Sequence, residues 1–115
     1  MPPKTNPLRL NPLQLRTLTL LQALAQLPEH GQPGAEPGTV RVANMPQPHG
    51  DHFHLGDAAV AARNATGLFN PAVWLALERK GLIRSAAFPL EALLTVEGLR
   101  YDTGLGDSLL HHLNH

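Results

Sequence analysis

This sequence predicts a small α+β domain: a first helix, then a helix–turn–helix, then a β-hairpin. Residues 70–101, NPAVWLALERKGLIRSAAFPLEALLTVEGLRY, read as a capped helix, a glycine stop, a strand, a short turn, a second strand and a new helix start. The stretch before them, GDAAVAARNATGLF, reads as another short helix and a tight turn. At 115 residues the chain is long enough for one modest core and too short for two, so a single domain over 1–115 is expected.

The elements follow in order. Asn11 is a favoured N-cap, and Pro12 gives up an amide that would be unpaired at that position anyway. A helix therefore runs from Pro12 to Gln26 or Leu27, where Pro28 stops it. Leu13, Leu20, Leu24 and Leu27 share one face, widened by Leu18 and Leu21, while Arg16, Thr19, Ala23 and Gln26 lie elsewhere. Residues 28–38, PEHGQPGAEPG, are too rich in proline and glycine for regular structure and read as a mobile loop. Thr39 to Asn44 and His52 to Leu55 alternate as short strands, Phe53 and Leu55 pointing inward, and could pair as an additional hairpin within 28–56.

Asp57 can cap a second helix from Ala58 to about Asn64. Asn70 and Pro71 repeat the start signal of the first helix, and Gly81 can end the third in a left-handed conformation with Leu82 folding back. Ile83 to Ala86 and Leu90 to Leu94 would be the hairpin strands, joined around Phe88 and Pro89. Thr95 can cap a helix to about Asp102, and Asp107 or Ser108 a short terminal helix carrying His111, His112 and His115.

Composition bounds the function classes. A hydrophobic fraction of 43% with 16% charged residues fits a globular rather than a disordered chain. Lysine plus arginine and aspartate plus glutamate each number 9, so there is no global basic excess of the kind that neutralises phosphates. With no cysteine, disulfides and thiolate metal sites are excluded. The start, MPPKTNPLRLNP, lacks the apolar stretch of a signal peptide, and the leucine-rich run after it is broken by Gln14, Arg16, Thr17, Thr19 and Gln22, so no membrane span and a cytoplasmic location are the expectation.

The order of elements, with ALERKGLI at Ala76–Ile83 and LLTVEGLRY at Leu93–Tyr101, resembles the winged helix-turn-helix superfamily, particularly bacterial regulators of the MarR and PadR sort. The resemblance covers roughly half the chain. It implies that the helix after Asn70 would enter a DNA major groove, with Asn70, Arg79, Lys80 and Arg84 as the residues available for contact. This chain departs from that pattern at the groove-facing positions. Trp74 and Leu77 take the inward places, which leaves Ala72, Val73, Leu75 and Ala76, side chains that can neither read base edges nor hold phosphate. The preferred reading is accordingly a non-catalytic interaction or dimerisation module, with Ala72, Val73, Leu75 and Ala76 covered by a second copy, a protein partner or the chain's own Thr39–Leu55 segment. A DNA-binding transcriptional regulator is the alternative.

A third reading comes from PHGDHFHLGD. On a strand His52 and His54 point to one face, and such a pair can bind zinc through imidazole nitrogens, with His49 as a third ligand and Asp51 as a weaker candidate. Other candidates fail. Asp102, Thr103 and Gly104 spell an aspartic-protease triplet, but only a short tail follows it. Gly104 and Gly106 lack a preceding buried strand, and neither Ser85 nor Ser108 sits in a nucleophile elbow. No catalytic set is expected, and no cofactor beyond the possibility of zinc.

Overall fold

Asn11 begins helix α1 (Pro12–Ala25) with a reciprocal cap: its side chain accepts from the Gln14 amide at 2.8 Å, and Gln14 Oε1 accepts from the Asn11 amide at 3.0 Å. The computed structural model describes residues 6–47, 50–56, 58–105 and 111–112, with the backbone alone at 85, 86, 111 and 112. Leu18, Leu20, Leu21 and Leu24 of α1 are buried as expected. Burial also reaches Thr17 and Thr19, because the helix is packed by β-strands, by both later helices and by 3-10 turns. Their hydroxyls donate to the Leu13 and Leu15 carbonyls at 2.8 Å, so neither polar group is buried without a partner.

The proline- and glycine-rich stretch is not the plain loop its composition suggests. It contains strand β1 (Gly31–Pro33), which pairs antiparallel with β2 (Val40–Ala43). Proline is accommodated because β1 is an edge strand, bonded on one side only. β2 is next to β6 (Glu91–Leu94), and β6 is next to β5 (Ile83–Ala87), giving a four-stranded antiparallel sheet in the order β1-β2-β6-β5. The register sets Val42 opposite Ala92 and Ile83 opposite Leu94, all four buried.

Two expectations about the middle of the chain are corrected. Thr39–Asn44 and His52–Leu55 do form strands, β2 and β3 (His52–Leu55), but they belong to different sheets and do not pair. The helix expected over Ala58–Asn64 is instead strand β4 (Ala58–Ala61), paired with β3, followed by 3-10 turns at Ala62–Asn64 and Thr66–Phe69. Alanine favours helices, but Ala58 and Val60 are buried while Ala59 and Ala61 are not, the period-2 pattern of a strand lying opposite Phe53 and Leu55. Asp57, the expected cap, is outside the described residues.

Helix α2 (Pro71–Arg79) forms where expected. Asn70 Oδ1 accepts from the Ala72 amide at 3.0 Å, and Val73, Trp74 and Leu77 are buried. Its end is a Schellman motif: Gly81 has φ +77, its amide bonds the Glu78 carbonyl, and the Leu82 amide bonds the Leu77 carbonyl at 3.0 Å. The hairpin β5–β6 follows, with Leu90 in its turn rather than in a strand. Thr95 caps the short helix α3 (Val96–Arg100) by accepting from the Gly98 amide, while its hydroxyl lies 2.7 Å from the Gly81 carbonyl and can donate to it. The terminal histidines His111 and His112 form strand β7 (His111–His112) beside β4 instead of a helix, completing a three-stranded sheet β3-β4-β7. Residues 106–110 and 113–115, which include the other end of that expected helix, are outside the described residues.

Candidate functional site

Helix α2 divides its surface in two. Val73, Trp74 and Leu77 face α1, β5 and the second 3-10 turn, the elements against which α2 chiefly packs. Trp74 is anchored by its indole N–H, which donates to the Leu68 carbonyl at 3.1 Å, and by an edge-on contact with Phe88 at 4.8 Å. Ala72 and Leu75 are exposed, Leu75 by 47%, and Ala76 is half-buried. Val73 therefore leaves the four-residue face expected from the sequence: it is only 5% exposed, already covered by its own chain.

Three large apolar side chains not singled out in the sequence are also exposed. Leu90 is 68% exposed, and Phe69 and Phe88 each exceed a third. With Leu75 these are the exposed large apolar residues among the described ones, and all fall between residues 69 and 90. Phe69 also stacks on Phe53 at 6.5 Å and borders a groove lined by Phe53, Ala62, Ala65 and Thr66. The available signal was Phe88 and Leu90 flanking a proline in a tight turn, a place where polar residues are usual.

Three of the four residues proposed for DNA contact are engaged elsewhere. Asn70 caps α2, Lys80 Nζ donates to the Leu8 carbonyl at 2.7 Å, and Arg84 pairs with Glu36 at 3.2 Å. Arg79 is exposed on the last turn of α2. The groove beside Arg84 carries Glu36, Glu78 and Glu97, an acidic lining.

On the other sheet, β3 places His52 and His54 together on the face opposite buried Phe53 and Leu55, as the alternation predicts. Their Nε2 atoms are 3.0 Å apart and the rings meet edge to face. His52 Nδ1 lies 3.2 Å from Asp51 Oδ1. A carboxylate only accepts, so this contact fixes the proton on Nδ1 and turns the Nε2 side of a neutral His52 toward His54. The same contact, followed by a backbone hydrogen bond at Asp51 and the charge of a protonated His52, holds the Asp51 carboxyl below its usual range. His49 is outside the described residues. Among the described residues no group of three or more histidine or carboxylate side chains converges as a metal set.

Compared with family models, with curated proteins and with solved structures, the chain matches none. What the fold defines is a small α+β domain, with three helices and two antiparallel sheets among the described residues. Among its described residues no helix is long and apolar enough to cross a membrane.

Proposed function

We propose that this chain is a non-catalytic, winged-helix-like interaction module that pairs with a second copy of itself through α2 and the turn at residues 88–90. The observation that carries the reading is that the exposed large apolar side chains among the described residues, Phe69, Leu75, Phe88 and Leu90, all belong to α2 or to the segments that flank it in the chain, while the others are buried or half-buried. Apolar surface gathered in this way is the usual core of an interface. The winged-helix part of the reading is supported by α2 running through a Schellman stop directly into hairpin β5–β6, with α1 packed behind. Two 3-10 turns stand where that pattern has its preceding helix.

The test is the solution mass by light scattering, wild type against Leu75→Glu and Leu90→Glu. Both positions are open to water in one chain, so the variants should fold normally. The expected result is a wild-type dimer and monomeric variants with unchanged circular dichroism. A wild type that stays monomeric at high micromolar concentration overturns pairing between copies, and a dimer that survives both substitutions overturns this face as its seat.

A DNA-binding regulator has less support, since Asn70, Lys80 and Arg84 are already engaged and acidic side chains flank Arg84. Salt-sensitive, sequence-selective gel shifts that weaken with Arg79→Ala would reverse that order of preference.

A further inference from the structure

Residues 6–10 form a short strap held by side chains from α2 and α3 and by Asn6 itself. Asn6 Nδ2 donates to the Leu10 carbonyl at 2.9 Å, and its Oδ1 accepts from the Leu10 amide at 3.1 Å. The Leu8 amide donates to the Tyr101 hydroxyl at 3.2 Å, and that hydroxyl donates to Asn6 Oδ1. The Leu8 carbonyl accepts from Lys80 Nζ at 2.7 Å. Both backbone polar groups of Leu8 are therefore satisfied by side chains distant in sequence, which fixes Leu8 in place. Beside the strap lies a hollow of about 400 Å³, lined by Leu8, Leu82, Val96 and Tyr101 together with Lys80, Glu97 and Arg100.

We propose that this hollow binds a small monocarboxylate with an apolar body. The site is independent of the interaction face on α2. Three observations carry it. The first is size: small-molecule sites occupy about 300–1,000 Å³, so this hollow takes a ligand from the small end of that range. The second is the lining, which is mostly apolar with a few charged groups, the usual make-up of such a site. Leu8, Leu82 and Val96 offer aliphatic surface to the body of the ligand.

The third is charge. Lys80 and Arg100 bring two positive charges to the lining and Glu97 one negative, a surplus of one. That balance suits a monoanion better than a cation or a dianion. An ammonium group has three N–H donors, and Lys80 gives one to Leu8, so two are left for a ligand. Arg100 lies on the last turn of α3, is exposed, and forms none of the ion pairs among the described residues. Its planar fork matches the two oxygens of a carboxylate. Bound there, the ligand joins the strap to α3 through Leu8 and Arg100.

The experiment titrates the full-length protein by calorimetry with sodium octanoate, kept below its micellar range, and follows the thermal midpoint. Octylammonium chloride supplies the same apolar body with the opposite charge, and acetate supplies the charge without the body. The expected result is one octanoate per chain with a raised midpoint, and binding of both controls at least about tenfold weaker. Arg100→Gln should weaken octanoate by about tenfold while matching the wild type in circular dichroism, since the side chain is exposed. Val96→Asp should abolish binding by adding a carboxylate to the lining. Val96 opens α3, where an acidic side chain is favourable, so that variant should also fold. Leu75→Glu and Leu90→Glu should bind as the wild type does. No octanoate binding, equal binding of octylammonium, or unchanged affinity in Arg100→Gln overturns the site. Binding lost in Leu75→Glu and Leu90→Glu assigns the ligand to the exposed apolar residues around α2 and overturns it as well.

Discussion

Gly98 and Gly81 both resist substitution, for different physical reasons. A methyl group at Gly98 would strike the Leu82 carbonyl and crowd the Leu94 side chain, because α3 is held directly against the end of α2. A methyl at Gly81 would meet nothing, but the residue has φ +77. Gly98→Ala is therefore expected to cost about 1–3 kcal/mol through overpacking. Gly81→Ala should cost about 1–2 kcal/mol through the backbone alone. Urea denaturation of both checks the magnitudes, and Gly81→Asn separates the causes: asparagine tolerates the left-handed region and should recover part of the loss at 81, but would still clash at 98. Asp51 supplies a prediction in pH. Its carboxyl titrates below the usual range because of His52, so the contact contributes most above that range and fades as pH falls through the lowered value. Asp51 is fully exposed, so the effect belongs in its own titration curve rather than in global stability. Carbon-detected NMR should show its midpoint rising toward the ordinary aspartate value in His52→Gln.

At the scale of elements, what was legible in the sequence was what is local. Asn–Pro at 11–12 and 70–71, Gly81 with Leu82, and Thr95 each mark an end by a bond within a few residues, and each bond forms. The strands of β5–β6 were legible for the same reason, since a short turn joins them. β4 was misread as a helix because the helical preference of its alanines is a local property and its pairing with β3 is not. A signal was present: Gly56 followed by Asp57 between two alternating runs is a recognised hairpin turn, and Gly56 does adopt φ +63. Replacing Ala59 with valine, a stronger strand former at a half-buried position, should preserve the fold, where a helix there would have been weakened. Unchanged circular dichroism and an equal or higher midpoint would bear this out. Of the candidate sites, the His52–His54 pair could be read from period-2 alternation. Phe69, Phe88 and Leu90 could not be read as exposed, since exposure depends on what the rest of the chain fails to cover.

The molecule as a whole is organised around α1, which touches β1, β2 and β6, α2, α3 and both 3-10 turns. The sheet beside it has a particular wiring. β2, from the first half of the chain, sits between β1 and β6, so Val40 is bonded opposite Leu94 and Val42 opposite Ala92. A growing polypeptide can make the β1–β2 hairpin early, but the inner edge of β2 has no mate until the last quarter of the chain emerges. Closing a loop that long is slow relative to hairpin formation, and an open strand edge is an invitation to other chains in the meantime. A fragment ending at residue 70 should therefore fail to hold a fixed tertiary structure and should self-associate, as read by dispersion-poor NMR spectra and rising scattered light. Adding a separate 71–115 fragment should suppress both, because it carries the missing strand. For this chain, the moment of synthesis when β6 appears is the moment at which a sticky edge becomes an interior.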